Sequence, residues 1–217
     1  MRRLIEHVGP CTLAPRRDYF VVLCKAIFTQ QISTAVAAVL FARFRKLFPA
    51  QRPTPQRVLE LIDAHGNGDG ALLRQCGLSR QKRAYVRDLA WHFATDQIPT
   101  RRIVSMCDDE VIESLVKVKG IGRWTAEMFL IFTLNRPDVL PVDDLGLQKG
   151  MQRLFALRKP PDRKRLEKLA EPWRPYRSIA TWYLWRGFDL LNGKVKTTSS
   201  TLPIAGDAVS PSVARRR

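Results

Sequence analysis

The run "VKVKGIGRWTAEMFL", from Val116 to Leu130, constrains the fold more than any other stretch. It sets Gly-Ile-Gly between two segments of helical period. Upstream, "DDEVIESLVKV" (108–118) has acids in its first turn, where they complement the helix dipole, and apolar residues at Val111, Ile112, Leu115 and Val116. Downstream, "RWTAEMFLIFTL" (123–134) is almost wholly apolar, as suits a buried helix. Helices joined by so few residues turn back sharply, and glycine takes backbone angles that other residues resist. The pattern is a helix-hairpin-helix. Its turn leaves N–H groups bare at the start of the second helix, where the dipole also favours an anion. Lys117, Lys119 and Arg123 flank it with positive charge. A generic tight turn has the same spacing, so the charge of the whole chain must decide between the two.

The formal net charge is +17, and residues 195–217 hold only +3 of it (Lys196, Arg215, Arg216 and Arg217 against Asp207). The remaining +14 lies on residues 1–194, so the folded part is itself basic and suits a polyanion, most often nucleic acid. With 45% hydrophobic residues in 217, the chain is long and apolar enough to bury a core. No stretch alternates as a strand does. "DYFVVLCKAIFTQQ" (18–31) predicts a buried helix, and Ser33 caps the next. Thr54 with Pro55 opens another, and "LSRQKRAYVRDLAWHF" (78–93) is amphipathic, with Ser79 as its cap. Further helices are expected at 145–156, 162–170 and 176–191, for nine or ten in an all-α protein. "HGNGDG" (65–70) reads as a flexible loop, and 194–217 as a disordered basic tail. The start, "MRRLIEHVGP", has no apolar core of a secretion signal, and the longest apolar run, "AVAAVLFA", is too short to span a bilayer. No membrane partner is expected; the expected compartment is the cytoplasm, or the nucleoid if the source is prokaryotic. Cys11, Cys24, Cys76 and Cys107 lack zinc or iron–sulfur spacing.

Several motifs in order then carry a resemblance. "VKGIGRWTAEMFLIFTLNRPDVLPVDDLGLQKG" gives a hairpin, a buried helix, a Gly/Pro-rich stretch and an aspartate. The chain thereby resembles the helix-hairpin-helix–GPD superfamily of DNA glycosylases, over most of residues 1–190. "AIFTQQIS" (26–33), "GLSRQKRAYVRDLA" (77–90) and "PWRPYRSIATWYLW" (172–185) are similar to the DNA-3-methyladenine glycosylase II branch. Lys119 departs from the proline usual before the G-I-G, and the chain is too short for the β-rich lobe of some members. The resemblance implies an all-α fold of two helical subdomains with the active-site cleft between them and no β lobe. Their expected bounds are about 32–122 for one and 1–31 plus 123–193 for the other, within a glycosylase domain of residues 1–193.

Removing a base from deoxyribose builds positive charge on the sugar, which a carboxylate beside it offsets. "PVDDLGLQKGMQRLF" (141–155) offers Asp143 and Asp144. Asp144 is preferred: Leu147, three residues on, would begin the buried face of the next helix, as in the family, and an N-cap would fix its side chain. Lyase-type members carry a Schiff-base lysine two residues after the second hairpin glycine. That position is Trp124 here, and an indole cannot form an imine. The resemblance therefore implies a monofunctional enzyme with water as nucleophile. N-alkylated purines are cationic and stack on indole faces, so Trp124 and, by resemblance, Trp185 are expected to line the base pocket. Met128, one turn after Trp124, is a further candidate, whereas Trp91, Trp173 and Trp182 read as structural.

A base must leave the stack before it is cut. Gln31, by resemblance, faces the orphaned partner base, and Leu78, Arg80 or Gln81 could be the wedge. With Lys117, Lys119, Gly120, Gly122 and Arg123 these make the expected DNA contacts. By resemblance, too, the carbonyls of Val116, Val118 and Ile121 can cradle a structural sodium or potassium ion; catalysis needs no cofactor. The expected protein is a monomer that excises alkylated purines of the 3-methyladenine and 7-methylguanine type from duplex DNA. The alternatives are a glycosylase for hypoxanthine or ethenoadenine, and a non-catalytic hairpin protein that only binds DNA.

Overall fold

The computed structural model describes residues 1–66 and 71–191. The loop expected at 65–70 lies outside them except for His65 and Gly66, which end a helix, and the tail expected at 194–217 lies outside them too. Among the described residues all regular structure is helical, as expected: α1 (Arg2–Val8), α2 (Tyr19–Thr29), α3 (Thr34–Arg45), α4 (Pro55–Gly66), α5 (Ala71–Gln75), α6 (Arg80–Ala94), α7 (Asp108–Leu115), α8 (Arg123–Phe132), α9 (Leu145–Leu154), α10 (Arg163–Ala170) and α11 (Arg177–Leu191), with short 3₁₀ turns at Pro49–Gln51 and Glu171–Trp173. No helix is long and apolar enough to cross a membrane.

Local chemistry starts these helices where the sequence predicts. Ser33 Oγ accepts the Val36 N–H, Thr54 Oγ1 the Arg57 N–H and Ser79 Oγ the Lys82 N–H. Each cap satisfies one of the donors a helix start leaves open and contributes about 1 kcal/mol. Asp108, Asp109 and Glu110 fill the first turn of α7, and Glu110 reaches back to the Cys107 N–H at 2.7 Å.

The chain divides into two compact units, one of residues 16–129 and one of residues 1–15 with 130 onward. The expected bounds, about 32–122 against 1–31 plus 123–193, are corrected accordingly. The reason lies in α2. Its Phe20 meets Phe93 of α6 edge-on, and its Phe28 packs against Phe41 and Phe44 of α3. An apolar helix goes with the faces that bury it. In the 16–129 unit, Phe28 and Phe44 are fully buried, with Leu73, Leu89 and Ile98. In the other unit, Val142, Leu147, Met151, Leu166, Ala170 and Leu184 form the core where α9, α10 and α11 pack.

The loop from α8 to α9 is tied to the start of α11. Arg177 donates to Asp138 Oδ1 through Nε at 2.7 Å and to Oδ2 through Nη2 at 2.9 Å, and Arg174 adds a bond at 2.9 Å. Burial alone would raise the Asp138 pKa, but the two guanidiniums outweigh it and hold the carboxyl below its ordinary value. Ser178 Oγ takes the Val139 N–H at 2.8 Å. These bonds fix the path into α9, where the next carboxylates sit.

Candidate functional site

In the 16–129 unit, α7 ends at Leu115 and the chain turns back before Arg123 opens α8. The Val118 N–H bonds the Leu115 carbonyl at 3.1 Å and the Ile121 N–H bonds the Val118 carbonyl at 3.0 Å. Gly120 has φ +84°, a region that L side chains rarely adopt, and a Cβ there would run into the Tyr85 ring. Gly122 differs: its φ is ordinary and a Cβ would meet nothing within 4 Å. The turn therefore needs glycine at Gly120, while Gly122 leaves open space beside the start of α8. The N–H groups of Gly120 and Gly122 have no protein acceptor among the described residues. Lys117, Lys119 and Arg123 are exposed around them, with Arg123 Nε on Glu127 Oε1 at 3.1 Å. The arrangement suits a phosphate, which brings acceptor oxygens and negative charge together.

The three carbonyls expected to hold a cation differ in what they already accept. Those of Val116 and Ile121 accept no hydrogen bond among the described residues, whereas Val118 already accepts from Ile121. A monovalent ion would need unused carbonyl dipoles, which Val116 and Ile121 offer and Val118 offers only in part.

Two further stretches of this unit carry expected DNA contacts. Gln31 is exposed with φ +64°, at the tip of the turn between α2 and α3. Arg80 and Gln81 are exposed in the first turn of α6, and Gln81 Nε2 donates to the Tyr85 hydroxyl at 2.6 Å. Leu78 must be corrected. It is 0% exposed, because Gly77 at φ +80° turns the chain and sends Leu78 into the core. A side chain in that position cannot be a wedge, which leaves Arg80 and Gln81 of the three. On α8, Trp124 is half-buried, and Met128 is 1% exposed among the core side chains. Trp182 is buried and Trp173 packs on the core, but Trp91 is 44% exposed and meets His92 edge-on.

In the other unit, Asp143 and Asp144 part company. Asp143 is exposed and both its oxygens accept from Arg163 Nη2 at 2.9 Å. Asp144 is 2% exposed and caps α9. Its Oδ1 accepts the Leu147 N–H at 2.6 Å and the Trp185 indole N–H at 2.8 Å. The Trp185 ring stacks on Phe132, with centroids 5.4 Å apart and planes at 21°. Gly146 makes the approach possible: a Cβ there would lie 3.0 Å from Asp144 Oδ1 and from two atoms of the indole. The carboxylate is thus held in one orientation by the helix start and by a ring that is itself held. Such fixed geometry is what electrostatic stabilisation of a developing cation requires.

Sequence reasoning misses Gly146, Phe132 and the Asp143–Arg163 pair. The spacing of Gly146 and Gly150 is a usable signal, since residues four apart share one helix face. Both meet α11, Gly146 at Trp185 and Gly150 at Leu184.

Comparison with known proteins gives consistent matches. The family model described as HhH-GPD superfamily base excision DNA repair protein matches residues 24–175. The alkylbase DNA glycosidase-like protein mag2 of Schizosaccharomyces pombe is 36% identical over 188 residues, covering 84% of this chain and 85% of its own. DNA-3-methyladenine glycosylase 1 of the same yeast is 35% identical over 190 residues, covering 85% and 80%. The solved structure of the S. pombe 3-methyladenine DNA glycosylase Mag1 in complex with abasic DNA superposes with a TM-score of 0.74 at 32% identity, covering 92% of this chain and 93% of that one.

Proposed function

The chain belongs to the HhH-GPD superfamily of base excision DNA repair proteins and is a DNA glycosylase, and from that premise we propose that it is monofunctional and hydrolyses the N-glycosidic bond of alkylated purines in duplex DNA. The observation that carries this reading is Asp144, a buried carboxylate held by the Leu147 N–H and the Trp185 indole N–H. DNA binding alone needs no such group. The hairpin takes the backbone phosphate on the Gly120 and Gly122 amides, with Lys117, Lys119 and Arg123 adding charge; the Val116, Val118 and Ile121 carbonyls would hold a monovalent ion, which would add one more. Gln31 faces the orphaned base and Arg80 or Gln81 fills the gap as the damaged nucleotide swings out.

A purine alkylated at N3 or N7 already carries positive charge, so it departs without a general acid. The bond from C1′ to the base nitrogen breaks with its electron pair going to the base. Asp144 offsets the charge left on the sugar and orients water, whose oxygen bonds to C1′ and whose proton passes to the carboxylate. Trp185 offers an indole face to the cationic base, and Trp124 is assigned the same role. With Trp124 in the place of a Schiff-base lysine, the product is an intact abasic strand. The deciding experiment uses the purified chain on duplexes that each carry one defined lesion. Release of free 3-methyladenine and 7-methylguanine supports the reading. Release of only hypoxanthine or ethenoadenine moves the substrate class, and tight binding with no base released at all refutes it.

A further inference from the structure

Helix α6 presents Lys82, Tyr85, Asp88 and His92 along one face, at helical spacing. Two of them, Tyr85 and Asp88, meet the hairpin, and Lys82 meets the end of α2. Lys82 Nζ donates to the Phe28 carbonyl at 2.7 Å, at the end of α2. The Tyr85 ring lies where a side chain at Gly120 would be. Asp88 Oδ2 accepts the Lys119 N–H at 2.8 Å, and its Oδ1 is 3.9 Å from Lys119 Nζ. Gln30, just past the end of α2, donates from Nε2 to the Gly120 carbonyl at 2.7 Å.

Asp88 is the odd member. It is an acid, 19% exposed, set directly beside a turn that is to receive a phosphate. By charge alone it works against DNA. We propose that Asp88 is a positioning residue for DNA binding: by accepting the Lys119 N–H it braces the hairpin so that the Gly120 and Gly122 amides stay aimed outward. The bond occupies the Lys119 amide and leaves those of Gly120 and Gly122, which have no protein acceptor among the described residues. Gln30 holds the Gly120 carbonyl and so fixes the Gly120–Ile121 peptide, whose Ile121 N–H is tied to the Val118 carbonyl at 3.0 Å. Tyr85 fills the space beneath. The turn is held by three side chains before any ligand arrives, and a preorganised site binds without the cost of ordering itself.

This inference rests on the hairpin being the phosphate anchor, and charge and geometry predict opposite signs for the two simplest variants. Asp88→Asn keeps an oxygen that accepts the Lys119 N–H and removes the negative charge, so affinity for undamaged duplex should equal or exceed that of the parent. Asp88→Ala removes charge and acceptor together, and the lost brace should weaken affinity about tenfold, the factor that corresponds to roughly 1.4 kcal/mol. Hydrogen exchange at the Lys119 amide, measured without DNA, reads the brace directly. It should quicken in Asp88→Ala and stay slow in Asp88→Asn. If Asp88→Ala binds as tightly as Asp88→Asn, Asp88 is only a charge and the proposal falls. Unchanged Lys119 exchange in Asp88→Ala overturns it equally. The pair Lys117→Ala/Lys119→Ala separates the premise: if that variant binds like the parent while exchange at residue 119 still depends on Asp88, it is the phosphate anchor that fails and the DNA role of the brace with it.

Discussion

Replacing Gly146 by alanine should slow catalysis through a contact that the same change at Gly150 leaves untouched. Two effects on stability oppose each other. Alanine in place of glycine in a helix contributes about 1 kcal/mol. Against this, the new Cβ would stand 3.0 Å from Asp144 Oδ1 and from Trp185 Cδ1 and Nε1, so these atoms must yield by a few tenths of an ångström. Added carbon in a packed interior costs about 1–3 kcal/mol. The net destabilisation is then roughly 0–2 kcal/mol. The atoms that yield are the two ends of the 2.8 Å indole–carboxylate bond. A misplacement near 1 Å can cost about 100-fold in rate, so a few tenths should cost on the order of 3- to 10-fold. Gly150 supplies the control, because a Cβ there also lies 3.0 Å from a neighbour, but that neighbour is Leu184 Cβ, which has no polar group. Single-turnover release of 7-methylguanine with enzyme in excess, beside a thermal melt, measures both quantities. Gly150→Ala should shift the melt and leave the rate alone. Equal loss of rate in the two variants, or full activity in Gly146→Ala with an unshifted melt, would refute the reasoning.

Other outcomes test other parts of the site. Asp144→Asn should bind DNA and melt like the parent but release no base, since the amide oxygen still caps α9 but has no charge for the sugar cation; full activity there and loss in Asp143→Asn would reverse the assignment. Strands should break only after alkali, and a borohydride-trapped protein–DNA adduct formed as fast as base is released would mean a lyase. Lys117→Ala and Lys119→Ala should weaken binding to damaged and undamaged duplex alike, each flattening log K against log salt by about 0.9. Asp138 has a depressed folded pKa, so the stability it contributes is present above its ordinary carboxylate range and lost as pH falls through the folded value; acid melts of the parent should show a loss below about pH 4 that Asp138→Asn lacks, and parallel curves would count against the Arg174 and Arg177 clamp.

What is legible in the sequence is what the chain decides locally. The caps at Ser33, Thr54, Ser79 and Asp144 each bond an N–H three residues on, and that spacing is visible in the letters. The hairpin is legible because Gly120 needs a backbone angle that few residues take. Contacts between distant parts are not legible. Asp88 and Lys119 lie 31 residues apart, Trp185 and Asp144 41, and Gln30 and Gly120 90. Gln30 thus reads as a plain helix end, although its amide holds the turn. Leu78 is misread for the same reason: "LSRQK" looks polar and loop-like, and only the turn at Gly77 shows its leucine going inward. Helix α1 escapes because its seven residues have no side-chain cap and none is buried.

Asp144 caps a helix whatever its part in the proposed reaction, and this narrows what can ever stand at that position. A descendant chain that abandoned catalysis would still need an oxygen there to receive the Leu147 N–H. Asparagine, serine or threonine would keep the fold, while alanine would give up about 1 kcal/mol. Selection for a folded chain alone therefore permits only a small alphabet at residue 144. Among relatives, an oxygen-bearing side chain there says only that α9 is capped; under the proposed mechanism it is the negative charge that would separate a working enzyme from a silenced copy.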